Sequence, residues 1–250
     1  MKYYLIAGEA SGDLHGANLV NAIKAQDSTA DFRFWGGDAM ESATGGKAFK
    51  HIRDLAFMGF VEVLLNLRTI LSNIKNCKKD LLAYQPNVLV LIDYPGFNLR
   101  MAEFAKKNNI LVVYYISPQV WAWKANRTKK IKQYVDRLIC ILPFEVDFFK
   151  KYNYAVDYVG HPLLDVVEQY HKNSDSDRSD HSTIALIPGS RRQEISKMLP
   201  VMLDTAAKFP KEQFVLAGAP SIPEAYYNGF NLPSNVTFKT GQTHKIMHEA

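Results

Sequence analysis

At 250 residues, 47% of them hydrophobic and 22% charged, the chain has material for one large domain or one and a half ordinary ones, and its balance excludes intrinsic disorder. The formal charge of +5, from 30 Lys and Arg against 25 Asp and Glu, suits an anionic partner such as a nucleotide, a phosphorylated lipid or an acidic membrane surface, without choosing among them. Cys77 and Cys140 lie far apart and form no metal-type pair, the apolar start is too short for a secretory signal, and no apolar run reaches roughly 18 residues, so a reduced, cytoplasmic location is expected.

In chain order, 3–7 reads as a strand, 8–16 as a Gly-rich turn and 14–25 as a helix with Leu14, Ala17, Leu19, Val20 and Ile23 on its apolar stripe. A second strand at 32–35 stops at Gly36-Gly37. The segment 56–71 is apolar around most of a helix circumference. Residues 88–92 form a continuous apolar strand that stops at Asp93, followed by a helix at 99–107. A strand at 111–116 ends at Ser117-Pro118, a helix spans 127–134, and strands at 137–142 and 155–159 end at Pro143 and Gly160. Strands that are apolar throughout, separated by helices, predict a parallel sheet covered on both faces, with ligands bound beyond the carboxyl ends of its strands. The loops 8–16, 93–98 and 117–123 all follow strands and are expected to converge at one edge.

Composition turns polar and aperiodic over 169–182, a linker between a first domain at 1–168 and a second that begins at 183. There a strand at 183–187, a turn at Pro188-Gly-Ser190 and a helix at 191–208 restart the pattern, with further strands at 213–217 and 235–239 and a helix at 243–250. Three strands fall short of the five or six usual for a doubly wound domain, so the second domain is expected to be truncated.

Several loops carry residues with two readings. Gly8-Glu-Ala-Ser-Gly-Asp13 can bring backbone close to a ligand at a helix N-terminus, or Ser11 and Asp13 can simply cap that helix; the dinucleotide fingerprint G-x-G-x-x-G is not met. Asp93, at a strand's carboxyl end, can accept a proton from a substrate hydroxyl or bond the next amides of its own turn. Pro188-Gly-Ser-Arg-Arg-Gln-Glu194 suits a diphosphate, or is a surface turn with solvated arginines. The apolar segment with Met58, Phe60, Val61, Leu64 and Leu65 is a buried core helix or a face that enters a bilayer, and the flanking Arg53, Arg68, Lys75, Lys78 and Lys79 favour an anionic membrane. Trp121 and Trp123 suit sugar stacking or core packing; RNA binding has no accompanying signature. His161, in Gly160-His-Pro162, is a hinge or cleft residue or a structural histidine.

Seven blocks follow one another in order: Gly-Glu-Ala-Ser-Gly-Asp at 8–13, Phe-Met-Gly-Phe-Val-Glu-Val-Leu at 57–64, Ile-Asp-Tyr-Pro-Gly-Phe-Asn at 92–98, Ser-Pro-Gln-Val-Trp-Ala-Trp at 117–123, Leu-Pro-Phe-Glu at 142–145, Gly-His-Pro at 160–162 and Pro-Gly-Ser-Arg at 188–191. Together they resemble the lipid-A-disaccharide synthase family over nearly the whole chain. The resemblance implies an α/β, GT-B architecture, two Rossmann-like domains facing across a cleft. It implies an inverting glycosyltransferase that moves 2,3-diacylglucosamine from UDP to the 6-hydroxyl of 2,3-diacylglucosamine 1-phosphate (lipid X) in lipid A biosynthesis, peripherally on the inner face of the cytoplasmic membrane.

On that resemblance Asp93 is the expected base. Glu9, Ser11, Gly12 and Asp13 are expected on the acceptor side, with Gln119 and His161 as further substrate contacts. Gly189, Ser190 and Arg191 are expected on the UDP phosphates. No metal or other cofactor is implied, the UDP-sugar being a substrate. The expected partners are the two substrates and an anionic membrane, a second copy in a homodimer is compatible, and nucleic acid is not expected. The family continues beyond residue 250 with segments that help hold the UDP-sugar. Rival readings are another GT-B enzyme acting on UDP-GlcNAc, such as an epimerase or a peptidoglycan-type transferase, or an inactive membrane- or nucleotide-binding module.

Overall fold

Runs of Val, Leu and Ile flanked by Asn, Asp and Gly set the strands, because β-branched and large apolar side chains pack on both faces of a pleated, covered sheet. The computed structural model describes residues 1–55, 67–123, 125–165, 167–168 and 183–250. Its strands are β1 (Lys2–Ala7), β2 (Asp31–Gly36), β3 (Lys50–His51), β4 (Val88–Ile92), β5 (Leu111–Tyr115), β6 (Arg137–Cys140), β7 (Asp157–Tyr158), β8 (Thr183–Leu186), β9 (Gln213–Gly218) and β10 (Val236–Thr240). Its helices are α1 (Ala10–Gln26), α2 (Asp38–Thr44), α3 (Leu67–Tyr84), α4 (Pro95–Lys107), α5 (Val120–Trp123), α6 (Arg127–Tyr134), α7 (Phe144–Lys150), α8 (Arg192–Lys208), α9 (Glu224–Tyr227) and α10 (Thr243–Glu249).

The chain divides into two compact units, Met1–Pro162 and Leu163–Ala250, a division six residues before the 168 boundary expected from composition. In the first, the described residues form seven parallel strands in the order β3-β2-β1-β4-β5-β6-β7. Alternate side chains of each strand enter opposite cores. Tyr4, Ile6, Leu89, Leu91, Val112 and Tyr114 face α3, α4 and α6, whereas Leu5, Ala7, Val88, Val90 and Ile92 face α1 and α2. This two-sided burial is why β4 is apolar at every position. The second unit has three parallel strands among the described residues, in the order β10-β9-β8, packed on Leu199, Leu203 and Ala206 of α8.

Three differences from the sequence reading matter for function. First, α1 begins at Ala10, so the expected turn at 8–16 is mostly its first turns; the small residues there pack against the sheet instead of leaving it. Second, α4 begins at Pro95 rather than 99, with proline at the helix start where its missing N–H is no loss. Third, the described part of the apolar 56–71 segment belongs to α3, which runs on to Tyr84 and buries Ile74, Cys77 and Leu81. Lysines between those positions disguise the stripe. Asp80 of α3 accepts from Tyr4 Oη at 2.7 Å and pairs with Arg33 at 2.6 Å, which fastens this helix to β1 and β2. Among the described residues no helix is long and apolar enough to cross a membrane.

Candidate functional site

Because β1, β4 and β5 are parallel neighbours, the loops after them leave from the same edge of the sheet. At the end of β4 the backbone turns through two left-handed residues in succession, Asp93 (φ 43°) and Tyr94 (φ 50°). Neither is glycine, and each such residue stores about 1–3 kcal/mol unless its surroundings impose the conformation. Here they do. Asn98, buried in the first turns of α4, donates its amide to the carbonyl oxygens of Asp93 (2.8 Å), Ile92 (3.2 Å) and Ile6 (3.4 Å). Tyr114 of β5 donates its hydroxyl to the Asp93 carbonyl at 2.5 Å. The elbow leaves residue 93 itself exposed at the edge. Asn98 and Tyr114 were not expected as the holders of this turn; the signal available in the sequence is an Asn inside a helix, where its propensity is poor.

Gly8 explains itself through the same elbow. A Cβ there would lie 2.4 Å from Cγ of the Tyr94 ring, so the glycine admits that ring rather than a ligand. Burial and the nearby Glu9 carboxylate raise the Tyr94 phenol above its usual range.

The expected capping of α1 by Ser11 and Asp13 is not what the structure contains. Glu9 is the N-cap, without a side-chain capping bond. Asp13 is buried and instead caps α2: its carboxylate accepts from the amides of Gly37 (2.6 Å), Ala39 (3.0 Å) and Met40 (3.1 Å). Gly12 is buried against Ala7, and Ser11 is exposed. His15, one turn further on, lies near His161; burial first, and the neighbouring imidazole second, lower its pKa from the usual value.

After β5 the chain passes through Ile116, a β-branched residue at φ 65°, into buried Ser117 and exposed Gln119. Val120 anchors α5 in the core, which leaves Trp121 at the surface against Phe144, edge to face at 4.9 Å. Phe144 is presented by the turn after β6, and that turn is held by buried Glu145, whose carboxylate accepts from Ile141 (3.2 Å) and Leu142 (3.0 Å) amides. Lys124 lies outside the described residues, as does every residue expected to dock on a membrane: Met58, Phe60, Val61, Leu64 and Leu65.

In the second unit, Gly189 takes φ 109° between β8 and α8. The Glu194 carboxylate folds back over the turn, accepting from the amides of Ser190 and Arg191, both at 3.2 Å, and from the Arg191 guanidinium at 3.0 Å. An anion therefore already occupies this set of donors, and the lowered Glu194 pKa reflects those bonds acting against its desolvation. Arg192 lies over the Tyr226 ring, so the arginine pair is not simply solvated.

A doubly wound parallel sheet with a strained carboxylate elbow at one strand end and a second α/β unit carrying a Gly-Ser-Arg turn defines a chain of GT-B type. Among solved structures, UDP-GlcNAc 2-epimerase from Neisseria meningitidis bound to UDP-GlcNAc matches with a TM-score of 0.67 at 15% identity, covering 100% of this chain and 76% of that one. At that identity the likeness concerns the fold alone. The sequence model described as lipid-A-disaccharide synthetase matches residues 3–228, and the chain belongs to that family. Similar relatives are the lipid-A-disaccharide synthases of Trichlorobacter lovleyi, 42% identical over 93% of this chain and 64% of the relative, and of Syntrophus aciditrophicus, 42% identical over 89% and 60%. The chain thus spans less than two thirds of the length of these relatives.

Proposed function

We propose that this chain carries the acceptor side and part of the donor side of an inverting glycosyltransferase. The enzyme transfers 2,3-diacylglucosamine from UDP to the 6-hydroxyl of 2,3-diacylglucosamine 1-phosphate, with release of UDP. The observation that carries the reading is the Asp93 elbow, an exposed carboxylate held at a strand end by Asn98 and Tyr114. Strain maintained by dedicated partners is a mark of functional positions. In this reading Asp93 takes the proton of the acceptor hydroxyl as that oxygen attacks the anomeric carbon, and the bond to the UDP oxygen breaks. Glu9 and Ser11 line the acceptor side with Gln119 and His161. Asp13 and Gly12 shape it through packing.

Arg191, with the Ser190 and Arg191 amides, meets the charge that develops on the leaving diphosphate. The carboxylate already seated on those donors supports their affinity for anions. The UDP-sugar is a substrate in this scheme, and no other cofactor enters. The segment with Met58, Phe60, Val61, Leu64 and Leu65 docks on the inner, anionic face of the cytoplasmic membrane, from which both lipid substrates are drawn.

The test is transfer between acylated UDP-sugar and acylated acceptor, with an Asp93→Asn variant and a UDP titration of Arg191→Ala. The expectation is loss of kcat by about 10²–10⁴ for Asp93→Asn at unchanged acceptor KM, and weaker UDP binding for Arg191→Ala. Parent-like turnover by Asp93→Asn removes the base assignment. Equal use of unacylated UDP-GlcNAc removes the lipid substrate class.

A further inference from the structure

We infer that Trp121 and Phe144 form the aromatic platform on which the sugar ring of the acceptor stacks, with Gln119 bonding its hydroxyls. The inference rests on the reading of Asp93 as base, because it follows from what must lie beside that carboxylate.

The edge of the sheet is continuous across three strands. The Asp93 amide donates to the Tyr115 carbonyl at the end of β5, and the Ile116 amide donates to the Ile139 carbonyl of β6. Neighbouring strands lie about 4.8 Å apart, so the loop after β5 leaves the edge one strand spacing from Asp93 and the loop after β6 two spacings from it. Trp121 lies in the segment that follows β5, and Phe144 in the one that follows β6. They are large aromatics left 37% and 46% exposed, in contact with each other.

Both are held firmly. Buried Val120 and its amide bond to the Pro118 carbonyl (2.6 Å) fix the Trp121 turn, and fully buried Glu145 fixes the Phe144 turn. The two rings meet edge to face, with their planes at 88°. Exposed Gln119 stands two residues from Trp121 and offers amide donors and acceptors. An exposed aromatic pair close in sequence to a side-chain amide matches the C–H face and hydroxyl rim of a sugar. An acyl chain has no use for the amide.

The experiment uses the 250-residue chain, labelled with ¹⁵N, in nonionic detergent micelles. Indole N–H resonances are followed while 2,3-diacylglucosamine 1-phosphate is added, or phosphatidic acid with the same acyl chains. The Trp121 signal is identified by its absence in Trp121→Phe. Trp35, whose indole donates to Tyr4 Oη at 2.9 Å in the core, is the internal reference. The platform requires the sugar phosphate to shift Trp121 and leave Trp35 in place, and phosphatidic acid to shift neither. Trp121→Ala should raise the acceptor Kd at least fivefold, and Trp121→Phe, which keeps an aromatic plane, by less than threefold. Equal shifts with both lipids mean a lipid-docking surface and overturn the inference, as does no shift with either, or an unchanged Kd in Trp121→Ala. The Asp93 reading fails separately: Asp93→Asn then transfers like the parent while the Trp121 response is unaltered.

Discussion

Asn98 gives one side-chain amide to three carbonyl oxygens, and the strained elbow at Asp93 depends on it. Asn98→Ala leaves those carbonyls short of a donor in the interior, for which about 2–3 kcal/mol of stability is expected to be lost. Urea unfolding measures the loss, and an unchanged midpoint would show that Asn98 does not hold the elbow. His15 offers a second test at the same scale. Its pKa is lowered in the fold, so the unfolded chain takes up the proton first as pH falls. Stability contributed by the neutral ring is therefore complete above the unfolded value of about 6.5. It declines as pH falls below that value and levels off once the folded-state pKa is passed. In His15→Gln this part of the pH dependence should vanish from unfolding curves recorded between pH 7.5 and 5, and an unchanged slope assigns it to another group.

Helix starts are where the elements of this protein do their joining. The α2 start is capped from another helix, by Asp13 of α1, and the start of α8 is capped by its own Glu194. Since one buried carboxylate satisfies three α2 amides, Asp13→Ala should destabilise the first unit by about 2 kcal/mol, at the upper end of cap deletions. Hydrogen exchange should show the amides of Gly37, Ala39 and Met40 opening first, and protection preserved at those three amides would contradict the assignment. The boundaries of α1 and α4 were misjudged in sequence for a related reason: Ala10-Ser-Gly-Asp13 and Pro95-Gly96 look like turn chemistry until the sheet they pack against is present.

Among the described residues, the buried clusters on the two faces of the first sheet and the cluster of the second unit are separate sets. Leu199 is fully buried in the second, so Leu199→Ala should cost about 2–5 kcal/mol there. Amide exchange is expected to quicken in β8, β9 and β10 while β1 and β4 keep their protection. The sequence alone determined the α/β class, the parallel strands and the placing of polar loops at their carboxyl ends, because two-sided burial writes continuous apolar runs into a chain. It also carried the family, since seven blocks in order survive without any knowledge of contacts. The tertiary structure decided what the loop residues do. Gly8 accepts the Tyr94 ring, Asp13 caps a helix two dozen residues away, Asn98 ties the ends of β1 and β4, and Trp121 stays at the surface against Phe144. Those roles rest on hydrogen bonds and ring contacts between segments far apart in the chain, and local pattern contains no information about which distant group a polar side chain will meet.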